Sequence, residues 1–250
     1  MPIWLEAGLW GLAGASSLVV GAALATLLKL PVRLVTGIMA FGCGVLISAI
    51  AYDLIMEGFR SAGIQPIILG AVAGSVAYTV ANWLVSRSGA RHRKRSGGQQ
   101  QDGSQGGGMA IAIGSLLDGI PESVVLGVSL LGGSGVSLPM FAAIFLSNLP
   151  EGLSSAVGML KAGRSRTYIF GLWIGIAVAS GLASLLGAAL LGDAAPAVLA
   201  TVNAVAAGAL LTMVADTMIP EAVEGERGGT GFLVVIGLLV AFGLSHGTGG

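Results

Sequence analysis

Along this chain, apolar runs of about 20 residues alternate with short polar breaks, which is the length a helix needs to cross a bilayer. Eight such runs are present, at 8–28, 34–57, 65–86, 109–131, 137–160, 167–192, 196–218 and 230–247. The pattern predicts an all-α integral membrane protein of eight transmembrane helices, folded as a single domain over residues 1–250. No basic stretch precedes the first run, so it reads as a span and not as a cleaved signal peptide. Most connections are short. The exception is 87–108, where Arg87, Arg91, His92, Arg93, Lys94 and Arg95 lead into a Gly/Gln/Ser tract. Such a tract cannot build a core, so the segment is expected to be a flexible, exposed basic loop.

Composition strengthens this picture. The chain is 54% hydrophobic and 10% charged, with a mean hydropathy of +0.90. Soluble domains carry about 25% charged residues, so a soluble globular fold is excluded. Forty-two glycines suit helices that approach closely in lipid. The net charge of zero argues against a nucleic-acid partner. The single cysteine, Cys43, cannot form a disulfide within one chain and reads as a packing thiol.

Charge also orients the spans. With the basic loop placed in the cytoplasm and sides alternated from there, eleven of the twelve Lys and Arg residues fall on the cytoplasmic side. These are Lys29, Arg33, Arg87, Arg91, Arg93, Lys94, Arg95, Lys161, Arg164, Arg166 and Arg227, and Arg60 alone lies opposite. The asymmetry puts both termini outside. The basic run is expected to set topology and to touch anionic lipid. Short loops and the lack of a targeting peptide fit a bacterial inner membrane.

Acids are distributed differently. Asp53, Asp118, Glu122, Glu151 and Asp216 fall within the apolar runs, where no Lys or Arg lies well inside. An ionisable residue at membrane depth marks a functional site by default. With no base inside the spans, a metal cation, protons or shared protons are expected to neutralise these acids.

Three of the acids belong to a pair of related motifs. Leu117-Asp118-Gly119-Ile120-Pro121-Glu122 and Leu146-Ser147-Asn148-Leu149-Pro150-Glu151 align 29 residues apart. Asp118 and Glu122 share a helix face, as do Ser147 and Glu151. Each proline removes a helical hydrogen bond, freeing the carbonyls of Leu117 and Leu146 and kinking the helix. Such backbone is tolerated where it lines a wet cavity or meets a ligand. Asp118, Glu122 and Glu151, with Asn148 and the Ser147 hydroxyl, therefore offer an oxygen-rich cage for a divalent cation. Oxygen ligands suit Mg, Mn or Ca, and ferrous iron or zinc can also use carboxylates. A looser repeat places Ala51-Tyr52-Asp53 and Val214-Ala215-Asp216 at the ends of the second and seventh runs.

These features resemble the ZIP family of divalent-metal transporters over nearly the whole chain. Asn148-Leu149-Pro150-Glu151-Gly152 matches the family's Asn-x-Pro-Glu-Gly, with Ser147 where histidine commonly precedes. The fourth run departs further: Asp118, Gly119 and Ser123 stand at the family's histidine, asparagine and glycine positions. The resemblance implies metal ligation by Asp118, Glu122, Ser147, Asn148 and Glu151. Asp53 and Asp216 become stations where the ion arrives or leaves. No carboxylate occurs on the sixth run, where Ser180 and Ser184 are the nearest polar groups, so a second metal position lacks its usual ligand.

The family further implies that spans one, four, five and six slide as a bundle against two, three, seven and eight. Gly171, Gly175 and Gly181 on the sixth run fit small residues at the sliding surface. It also implies a dimer. The resulting expectation is a secondary transporter that brings divalent metal, zinc first with manganese or iron open, into the cytoplasm. It is not expected to be an enzyme or to hold a prosthetic group. The rivals are a carrier of another small solute or a proton-coupled cation on the same scaffold, and a non-transporting metal sensor or scaffold.

Overall fold

The computed structural model describes residues 1–28, 30–96, 108–132, 136–225 and 228–246. The expected flexible tract at 97–107, and with it Asp102, lies outside the described residues, as do Lys29, Glu226 and Arg227. Among the described residues the fold is entirely helical. The helices are α1 (Ile3–Leu27), α2 (Val32–Ala62), α3 (Ile64–Ser88), α4 (Gly108–Ser129), α5 (Leu138–Lys161), α6 (Arg166–Leu191), α7 (Pro196–Glu224) and α8 (Thr230–His246). Seven are long and apolar enough to cross a membrane. The eighth, α8, has 17 residues. At 1.5 Å per residue that is about 26 Å, near the lower limit for a span. The architecture is that of a multi-pass membrane protein.

Several helices outrun their apolar stretches, because helical hydrogen bonding continues into the flanking polar residues. Helix α2 carries on past Glu57 and Arg60 and stops at Gly63, whose φ of 80° is open to glycine. A one-residue break then starts α3. Within α2 and α7 the winding loosens to a π-helix, over Ala49–Met56 and Val214–Met218. Asp53 and Asp216 occupy these two stretches, a setting common at functional positions.

Helix α1 packs on α5 and α6, and α4 packs on α6 and α1, giving one bundle. Helix α3 lies along α7, and α8 along α2. The two groups meet where α2 crosses α5 and α4 crosses α7. Small residues set the closest crossings. A Cβ on Gly44 would press into the Val234 backbone of α8, one on Gly74 into Val205 of α7, and one on Gly21 into Leu149 of α5. Gly152 returns the last contact against Leu18. The expected sliding glycines are corrected here. Gly171 and Gly175 face open space, and only Gly181 packs, against Gly8 and Leu12 of α1.

The outer surface is apolar. On α3, Leu69, Val72, Val76 and Val80 are exposed, while Gly70, Gly74 and Tyr78 on the opposite stripe are buried. This side suits lipid, and the inward stripe carries Tyr78 to the centre of the molecule.

Candidate cation site

Helices α4 and α5 run unbroken through Pro121 and Pro150. Gly42 of α2 makes room for the Pro150 ring and lies beside the Leu146 carbonyl. Ser123 donates to the Gly119 carbonyl at 2.7 Å. With the proline turns accommodated this way, Asp118, Glu122, Ser147, Asn148 and Glu151 are all at most 4% exposed.

The three carboxylates differ sharply. Asp118 is saturated. Tyr78 donates to Oδ1 at 2.5 Å, and Arg93 grips the carboxylate side-on, Nε to Oδ2 and Nη2 to Oδ1, each at 3.0 Å. Arg93 also donates to Asn82 Oδ1 at 2.9 Å and to the Tyr78 hydroxyl at 3.2 Å. Lys94 Nζ lies 3.3 Å from Asp118 Oδ2 and 3.1 Å from Glu151 Oε1, an ion pair by distance without hydrogen-bond alignment. Both oxygens of Glu122 are buried and make no hydrogen bond. The charged groups that act on Glu122 are Glu151, Lys94 and Asp118, and Asn148 lies beside it short of hydrogen-bond geometry. Ser147 commits its hydroxyl hydrogen to the Ile144 carbonyl at 3.0 Å.

The bases come from the segment after α3, and this corrects two expectations. The sequence predicts a flexible, exposed loop and acids with no basic partner. Instead Arg93 and Lys94 are 2% and 4% exposed and turn into the bundle. Burial opposes the charge on Arg93, but Asp118 more than offsets it, so the guanidinium is held protonated more firmly than usual. The backbone of the segment is pinned as well. Ser155 donates to the Arg93 carbonyl at 2.6 Å, and Ser154 to the Lys94 carbonyl at 2.7 Å. Glu221 of α7 accepts from Ser96 N at 2.8 Å and Ser96 Oγ at 2.5 Å, and the Ser154 hydroxyl, 2.9 Å away, shares its one hydrogen between Glu221 and the Lys94 carbonyl. Lys161 donates to the Ser96 carbonyl at 2.6 Å, and Arg95 pairs with Glu224 at 2.5 Å.

Asp53 and Asp216 lie apart from the five, toward opposite ends. Asp53 is half-buried and lines a cavity of about 440 Å³ with Glu57, Ser61, Ser129, Ser137 and Asn203. Its lining includes Val125, one helical turn from Glu122, and Met140, two turns from Ser147. Asp216 is exposed, in a cleft of about 30 Å³ with Arg91, Arg93, Lys94, Arg95 and Thr217. The two acids therefore sit in separate openings, Asp53 in the cavity and Asp216 beside the basic segment.

Among the described residues no three side chains from His, Cys, Asp and Glu converge as a metal centre. Lys94 stands between Asp118 and Glu151, where the spacing predicts a shared cation. Ser180 and Ser184 of α6 are buried, the first beside Gly119 and the second donating to the Ala7 carbonyl at 2.8 Å. No protein-family model and no curated protein matches the chain.

Arg93 and Lys94 cannot be told from topology-setting bases by composition. The signals that were present are Tyr78 and Asn82, four apart on one face of α3, and Ser154-Ser155 just after Glu151. These polar groups in apolar runs need partners.

Proposed function

We propose that the chain is a secondary transporter that carries divalent metal cations into the cytoplasm through the site between α4 and α5. Zinc is the first candidate, with manganese and iron next. The observation that carries this reading is the burial of three carboxylates, Asp118, Glu122 and Glu151, within the apolar helices α4 and α5, with both oxygens of Glu122 left without a hydrogen bond. A buried carboxyl without a hydrogen bond costs stability, and a membrane protein retains one where an ion or proton must pass. The cavity holding Asp53 supplies an approach from the outer end, and the cleft holding Asp216 an exit at the other. The likeness of the Pro-Glu motifs to the ZIP family supports the same substrate class. The packing of α1, α4, α5 and α6 as a group fits a bundle that moves against α2, α3, α7 and α8.

A second reading is favoured by one observation: the chain's own Arg93 and Lys94 already neutralise Asp118 and Glu151. On that reading the centre is a structural charge cluster in a sensor, or the carrier moves a different solute.

Uptake into proteoliposomes loaded with a metal-sensitive dye separates the two, with Zn, Mn, Fe, Co, Cd and Mg supplied outside in turn. Flux that vanishes in Glu122→Gln is expected. Absence of flux for every ion, from folded protein, favours the second reading.

A further inference from the structure

Resting on the carrier reading, we infer that Arg93 and Lys94 are resident counter-cations of the transport site, occupying Asp118 and Glu151 in alternation with the transported cation. Their placement is built from many sides. Segment 91–96 is fastened by Ser154 and Ser155 on α5 and by Glu221 on α7, and these contacts fix its backbone. Fixed this way, it delivers two positive charges onto the two acids that a divalent ion needs. One divalent cation and one Arg-Lys pair carry the same charge, so the exchange leaves the buried centre electrically unchanged. That matters at membrane depth, where an uncompensated pair of carboxylates is strongly destabilising. Glu122 stays free of either base and is the first ligand an incoming ion meets, one turn from the cavity lining.

The arrangement also couples movement to occupancy. Arg93 ties Tyr78 and Asn82 of α3 to Asp118 of α4. Segment 91–96 bridges α5, through Ser154 on the Lys94 carbonyl, and α7, through Ser96 on Glu221. These ties cross from one helical group to the other. With the bases seated, the bundle is joined to its scaffold and the cytoplasmic end is closed. A cation that takes Asp118 and Glu151 frees Arg93 and Lys94, which removes the tie from α3 to α4 and leaves the segment held by Ser154, Ser155 and Glu221 alone.

Hydrogen–deuterium exchange on the full-length protein tests this without mutation. Saturating Zn or Mn should raise amide exchange in a peptide covering 91–96, where ligands ordinarily protect. Zn or Mn affinity, read by calorimetry, should tighten about tenfold or more in Arg93→Gln/Lys94→Gln, because the competing charges are gone. Should that variant not fold, Ser154→Ala/Ser155→Ala loosens the segment with the site charges intact, and the same direction is expected. Binding by the variants alone, with none in the unaltered protein, also supports the inference. Metal binding or flux in the unaltered protein with unchanged exchange at 91–96 and no tightening in the variants overturns it and leaves the carrier standing. Folded variants and unaltered protein that bind and move no metal overturn both.

Discussion

At the scale of single residues, the centre holds three carboxylates in three states, and each state sets a different mutational outcome. Asp118 is met by Tyr78, Arg93 and Lys94. Asp118→Asn strands the buried Arg93 and leaves Lys94 with Glu151 alone, and breaking a buried pair this way costs about 3–5 kcal/mol. A markedly lower melting temperature in detergent is expected. Glu122 behaves oppositely. It makes no hydrogen bond, so Glu122→Gln removes a buried acid from the neighbourhood of two others without breaking a contact. Its melting temperature should hold or rise while uptake is lost. An equal fall in stability for both variants would contradict the distinction. These acids as candidate site residues were legible in the sequence, because an acid inside an apolar run has few structural explanations. Their partners were not. Whether Asp118 meets a metal or an arginine depends on where a segment 25 residues earlier in the chain folds back, and neither motif records that.

Elements obey a coarser rule, the closeness of their crossings. The sequence shows glycine throughout the spans, without saying which glycines face a neighbour. Gly21 and Gly152 bring α1 against α5 directly beside Glu151, so that backbone meets backbone. Gly152→Leu has no space there and should abolish the folded, monodisperse protein by size-exclusion chromatography. Gly175 has nothing within 4 Å on its open side. Gly175→Ala should leave the elution unchanged and hold or raise the melting temperature, since glycine in a helix interior is destabilising by about 0.5–1 kcal/mol. The same divide explains the π-wound stretches. The sequence repeats Ala-Tyr-Asp and Val-Ala-Asp at the ends of two runs, yet no local propensity announces the loosened winding there.

The whole molecule is ordered by the membrane. The arrangement proposed from Lys and Arg puts both termini outside, and cysteine labelling checks it. Cys43 is fully buried and should give no background. Asp193→Cys should react with an impermeant maleimide on intact cells, and Arg166→Cys only after lysis. The reverse pattern would invert the direction of transport proposed here.

By itself the sequence determined the count and approximate limits of the helices, the membrane class and the acids of the centre. Hydrophobic length and the cost of burying charge are local quantities that each stretch carries alone. Tertiary structure alone decided that Arg93 and Lys94 enter the bundle, that Asp53 lines a cavity while Asp216 meets the basic segment, and which glycines carry crossings. Those depend on contacts between residues far apart in the chain. A buried charge is stable only beside its partner, and the partner is supplied by the fold.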